Sequence, residues 1–455
     1  MTIETAQPDT ANIARRAEPQ PAPKPMFRSR VKSRSQWLWL LAVVVAVSLP
    51  WLFFNWSTGR HSGFVLIMLS EIGLMTIFAL SFNMQMGQSG LLSFGHAILF
   101  GLGAYCTAHA LNSVKAGNLW VPTELVPLVG GLSGLMFGAF FGFIATKQRA
   151  TAFAMITLGL GELVAAAALM FTGFFGGEGG ISTNRVTGVS LLGASYSASW
   201  QVYYLIVVWT LISTVLMRLQ TETPLGRLAN ATRDNFERAE FIGYDPRMVR
   251  FYQYVLSGFF AGVAGALYAI LYEIVTFDTV SAPKSATALL ATYIGGVGGF
   301  YGPILGTILI VLLQSGVSLL SNAWLLYVGV LFVVMVMFAP NGILGLIAMH
   351  GPIARSGRIA ALIGPYLRVL LPGLTAVATF VLLVEMASFV TIGAEQGKSF
   401  KLGGILHIDP FTVLPWMAAT AVFAIAAVWL RLEARAFGRV WDELSEEAKR
   451  LGQTP

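Results

Sequence analysis

The chain has 455 residues, 56% of them hydrophobic and 11% charged, whereas about a quarter of a soluble chain is charged. A mean hydropathy of +0.70 and apolar blocks of about twenty residues, enough to cross roughly 30 Å of hydrocarbon as helix, exclude a water-soluble multidomain enzyme. The lone Cys106 excludes an internal disulfide or a cysteine zinc cluster, the five histidines show no metal-ligand spacing, and the net charge of +7 reads as bilayer asymmetry rather than nucleic-acid binding. The expectation is an all-α integral membrane protein, a polytopic helix bundle of about 11–12 apolar spans, with no metal and no cofactor.

Residues 1–36 carry five prolines, seven basic residues and no apolar run, so a disordered basic tail is expected. The block at 37–54 follows without a small-residue cleavage pattern and is expected to be a membrane segment rather than a signal peptide. Further blocks lie near 64–82, 90–111, 124–146, 151–175, 200–219, 251–273, 301–320, 324–347, 366–390 and 411–430, with a shorter apolar piece at 284–297. If all twelve cross from a cytoplasmic N-terminus, the inner segments hold all but six of the 29 lysines and arginines. Those six are Arg60, Lys115, Arg185, Lys284, Lys398 and Lys401. Such a bias places both termini and the 218–250 loop in the cytoplasm.

Two connections are short and glycine-rich, at 83–90 and 295–303. Irregular backbone at membrane depth persists only where protein or a watery cavity satisfies it, so they read as broken or re-entrant segments of a transporter. Tight hairpins at the inner face are the alternative. Small residues four apart, Gly134, Gly138 and Gly142, Gly258, Gly262 and Ala266, and Gly298, Gly302 and Gly306, are expected at close helix contacts. The one long charged inner segment is 218–250, with a helix expected from Pro224 to Ile242 and Gly243 as its stop.

The stretch GRLANATRDNFERAEFIGYDPRMVRFYQYVLSGFFAGVAGALYA resembles the cytoplasmic coupling region and following helix of the branched-chain amino acid ABC transporter permease family, M-type subunit. SFNMQMGQSGLLSFGHAILFGLGAY at 81–105, TLGLGELV at 157–164, the glycine run 176–181 and IGGVGGFYGPILGT at 294–307 agree with it, so the resemblance covers about 64–347. It implies a permease domain at 37–347 that imports a branched-chain amino acid or a related small polar solute. A periplasmic binding protein would deliver the solute, a second permease subunit would complete the pathway, and ATPases would dock on Gly226, Arg233, Asp234, Asn235, Glu237, Arg238, Ala239 and Gly243. No GxxxxGK[ST] loop occurs, so ATP is expected to be handled by another chain. Residues 348–430 add a membrane pair and 431–455 a charged cytoplasmic tail that the resemblance does not cover.

Polar groups at depth are the path candidates: Asn83, Gln88, Ser93, His96, Thr157, Glu162, Tyr293 and Gln314, with Gln85, Ser89 and Ser315 beside them. An ionisable group in a span is a functional hypothesis by default, and Glu162, after Gly159 and Gly161, is expected to face a bundle interior. For Glu162 and His96 a bond between helices is the competing reading. The competing function is an ion-coupled secondary transporter using Glu71, Glu162, Glu273 and Glu385, which leaves the charged segment at 226–243 without a purpose.

Overall fold

The computed structural model describes residues 43–55, 60–393 apart from 149, 187, 189, 192 and 320, then 401–402, 406–407 and 410–453. The expected tail at 1–36 lies outside them. Two compact units divide at Leu52. Helix α1 (Val43–Leu52) belongs to the first, and everything from Phe53 belongs to the second.

In the second unit α2 (Gly63–Asn83) runs on as a π-turn (Met84–Gln88), followed by α3 (Ala97–Lys115), α4 (Val126–Ala145), α5 (Ala150–Met170) and the short α6 (Thr172–Phe175). Next come α7 (Ser199–Glu222), α8 (Pro224–Asp234), α9 (Phe236–Phe241), α10 (Pro246–Tyr272), α11 (Ala282–Gly295) and α12 (Gly302–Leu312). The chain closes with α13 (Trp324–Phe338), α14 (Gly342–Met349), α15 (Gly351–Arg355), α16 (Ile363–Ser388) and α17 (Val413–Gln453). Among the described residues strand structure is limited to three two-residue antiparallel ribbons, including Ile181–Ser182 paired with Ile274–Val275.

Among the described residues eight single helices are long and apolar enough to cross a membrane, and α13 with α14–α15 forms a ninth bent by 46°. With the shorter apolar helices α1 and α12 and the 14-residue α11, each of the twelve apolar blocks contains a helix. The chain is a polytopic all-α membrane protein.

Helix α10 sits at the centre, packed against both α4 and α3. Asp245 caps its start by accepting from the Arg247 amide at 2.8 Å, and Pro246 supplies the preset φ of a first helical position. Its small residues set the packing distance. A Cβ at Gly258 would lie 2.6 Å from the Gly134 carbonyl, and one at Gly103 of α3 2.6 Å from the Gly262 Cα. In lipid, where burial gives helices little reason to associate, such backbone approach provides the dispersion contact. Gly302 and Gly306 meet Gly296 and Ala291 in the same manner, but nothing lies within 4 Å of a Cβ at Gly298. That position, expected to pack, faces open space because it falls in the turn before α12.

The piece at 284–297 holds the 14-residue helix α11, shorter than the single spans. After α10 the 3-10 turn Phe277–Val280 lies alongside α3, with Thr279 and Val280 touching Gly101, so α11 begins inside the bundle. Lys284, placed by sequence in an outer loop, stands in the first turn of α11 with its Nζ 5.2 Å from the Phe100 ring centroid and 5.0 Å from that of Tyr268.

Helices α16 and α17 pack chiefly on each other and bury little of their surface. They are held to the rest by the Tyr327 hydroxyl donating to Glu385 at 2.7 Å, by His350 bonded to the Tyr366 hydroxyl at 2.6 Å, and by a small cluster of Ile353 and Leu362 with Phe437, Trp441 and Leu444.

Candidate functional site

The first glycine break is the most polar part of the interior. The Gln85 amide donates to His96 Nδ1 at 3.1 Å and to Ser257 Oγ of α10 at 2.5 Å. With Nδ1 accepting, His96 Nε2 carries the proton and donates to Ser81 Oγ at 2.8 Å, and the Ser81 hydroxyl passes its own hydrogen to the Phe78 carbonyl. His96 is fully buried, stacked on Phe78 and edge-on to Phe82, so it joins α2 to the start of α3. A level nearer the charged segment, Gln253 of α10 donates to Gln88 at 2.7 Å and accepts from Gln220 of α7 at 2.7 Å. Thr157 of α5 accepts from the Phe94 amide at 3.2 Å. Asn83 Oδ1, Gln85 Oε1 and Ser93 Oγ are buried without a hydrogen-bond partner among the described residues. Buried oxygens of this kind are rare in a dry interior and common where water or a solute has access.

The two breaks meet. A Cβ at Gly87 would lie 2.7 Å from the Val297 carbonyl, and Gly296 rests on the Asn341 carbonyl at the bend between α13 and α14. Asn83, Gln88, Ser93, His96 and Thr157 are thus brought together around α2, α3, α5 and α10. Tyr293 and Gln314 are not part of that network. Both are half-buried, Tyr293 edge-on to Phe332 of α13 and Gln314 in the π-turn Leu313–Val317.

Glu162 differs from expectation. It is exposed on α5 beside the exposed Leu163, while Gly161 and Val164 face inward, because Gly161 is the residue that approaches Gly95. It makes no hydrogen bond or ion pair among the described residues. Glu162→Leu should therefore leave the yield of folded chain unchanged. A loss of folded protein, read by detergent gel filtration, would show a structural partner.

The charged segment is two helices rather than one. Thr223 caps α8 by accepting from the Gly226 amide at 3.3 Å, and Asn235 leaves helical geometry to cap α9 by accepting from Arg238 N at 2.9 Å. A short polar side chain that bonds its own backbone competes with helix continuation, so the chain turns at Asn235. Gly243, at φ 92°, ends α9 as expected. Gly226 and Ala239 are buried, Asp234 pairs with Arg233 at 2.9 Å, and Glu237, Arg238 and Gly243 are exposed. Phe241 and Ile242, 90% and 67% exposed, form an apolar tip that composition alone did not single out. The signal was present as FIGY inside a charged run.

The carboxylates of the ion-coupled reading are dispersed. Glu273 caps the end of α10 in left-handed geometry and binds Arg185, accepting from its amide at 3.0 Å with a 3.6 Å ion pair. Glu385 accepts from Tyr327 in the peripheral pair, and Glu71 lies near Tyr272 and Lys284. Among the described residues no three His, Cys, Asp or Glu side chains could hold a metal.

Many apolar helices with two glycine breaks, a polar break network and a capped charged hairpin define a membrane transport component. Residues 64–340 match the model of the branched-chain amino acid transport system/permease component family, and the chain belongs to that family. It is 29% identical over 289 residues to the high-affinity branched-chain amino acid transport system permease protein LivM of Escherichia coli K12, covering 59% of this chain and 67% of that one. A probable LivM of Methanocaldococcus jannaschii is 22% identical over 61% of this chain and 92% of its own length. The fructose import permease protein FruF of Bifidobacterium longum is 24% identical over 59% and 74%. No solved structure gives a significant match.

Proposed function

We propose that the chain is the membrane permease subunit of an ABC importer for branched-chain amino acids or a closely related small solute, seated in a bacterial inner membrane with both termini cytoplasmic. Separate ATPase subunits dock on α8–α9, a second permease chain completes the pathway, and a periplasmic binding protein delivers the solute. The observation that carries this reading is the α8–α9 hairpin, which leaves the membrane helices and presents Phe241 and Ile242 outward. Two large apolar side chains on a charged, water-facing element are kept for a partner. The substrate class rests on the LivM relatives, with FruF marking the neighbouring possibility of a sugar. The charge bias supports the orientation, now without Lys284 in the outer count.

Co-expression with the ATPases and permease of its own gene neighbourhood should yield one complex, and proteoliposomes of it should take up leucine, isoleucine or valine on addition of loaded binding protein and ATP. A chain that purifies alone, or uptake that follows an ion gradient without ATP, would sink the reading. Because α16 and α17 are bound mainly to each other, a chain ending at His350 is expected to keep transport per folded complex within about twofold, as for elements outside a coupled network. A stable but inactive truncation would put the extension in the mechanism.

A further inference from the structure

Arg233 carries the charge of a docking residue, yet its guanidinium turns inward. Nη1 donates to the carbonyl of Gly87 in the π-turn of α2, and the side chain lies against Gly90, where a Cβ would be 3.0 Å from Arg233 Cγ. The Gly87 carbonyl is open to it for a local reason. In a regular helix that oxygen would accept from the Leu91 amide, but Leu91 N bonds Gln85 O at 3.0 Å, and a π-turn leaves backbone groups of this kind to outside partners. Asp234 holds the guanidinium in place through Nε and Nη2, both at 2.9 Å. Among the described residues no other charged side chain of α8 or α9 bonds to a membrane-spanning helix.

Beyond Gly87 the contacts continue from backbone to backbone. Gly87 admits the Val297 carbonyl, Gly296 rests on Asn341, and Gly342 stands against the Gly296 amide. One line therefore joins α8, the first break, the second break and the bend in α13–α14.

We propose that Arg233 is a positioning residue that transmits movement of the α8–α9 hairpin into both glycine breaks and so sets whether the adjoining end of the pathway is open. The inference rests on the ATPase-docking reading above. A ligand-driven shift needs contacts that differ between the two states, and a charge-assisted bond to a carbonyl that the helix has released is one that movement of α8 would make or break. The Gln88–Gln253–Gln220 chain ties the same π-turn to α7 and α10, which gives the turn a fixed frame to move against.

The test is the ratio of solute imported to ATP hydrolysed in the reconstituted full complex, with binding protein, for Arg233→Ala and Arg233→Lys. Arg233→Ala should retain its ATPase subunits while the ratio falls at least about tenfold, within the range of site-to-site coupling, and Arg233→Lys should recover part of it because an ammonium also donates. A merely structural role would lower the yield of folded complex and leave the ratio alone. If Arg233→Ala folds poorly, Arg233→Gln, polar but too short to reach Gly87, carries the same expectation. An unchanged ratio overturns the proposal, and so does loss of the ATPases from the variant alone, which would make Arg233 a docking contact. Absence of the ATPases from the unaltered complex would instead overturn the docking reading.

Discussion

Replacing Phe241 and Ile242 together with serine should reduce ATP-driven uptake by at least about a hundredfold and release the ATPase subunits, while the permease remains folded in the membrane. Both side chains are exposed in the isolated chain, so their removal costs it no core packing. Ala239, the buried residue of α9, and the Asn235 cap are untouched, so the hairpin keeps its shape. Large apolar anchors at the centre of an interface each contribute about 2 kcal/mol or more to binding, and two of them account for a loss of that size. The check is a pull-down with the affinity tag on the permease, followed by uptake in vesicles. Normal uptake with both residues changed would mean that the partner grips elsewhere.

Gly258→Val is expected to have the largest effect on folding. A Cβ there comes 2.6 Å from the Gly134 carbonyl and 3.3 Å from a Leu99 methyl, and a branched side chain needs more room still. The neighbour that must yield is backbone, on the helix that α10 packs against most extensively, so α4 and α10 would have to separate. Overpacking in a well-filled interior typically costs about 1–3 kcal/mol and more where backbone must move, enough to lower the amount of folded protein several-fold. Gly298→Ala is the matched control, since nothing lies within 4 Å of its Cβ, and it should be silent. The readout is monodisperse protein per unit of membrane, and wild-type yield of Gly258→Val would show that the contact between α4 and α10 is loose.

The bundle was legible because hydropathy in blocks of helical length reports burial in lipid, and each block was found to hold a helix. What hydropathy does not report is direction. Residues 274–297 read as a loop and then a short span, yet the turn at Phe277–Val280 folds back along α3. That return brings Lys284 among aromatic rings rather than into an outer loop. Glu162 shows a related gap, since the glycines around it fix close approach on one face of α5 without revealing which face the carboxylate takes. Asn235 has the residue type of a cap, but the helical period continues through it and points to a single helix. Arg233 had no local signal for its inward bond, because its acceptor is 146 positions away and became free only through the π-turn.

Helix α17 has a mechanical consequence. At 41 residues and 1.5 Å per residue it is about 60 Å long, roughly twice the hydrocarbon thickness. About half of it is therefore more helix than one upright crossing needs, and its C-terminal part is stayed by His350 against Trp441 and by the Arg358–Glu447 pair.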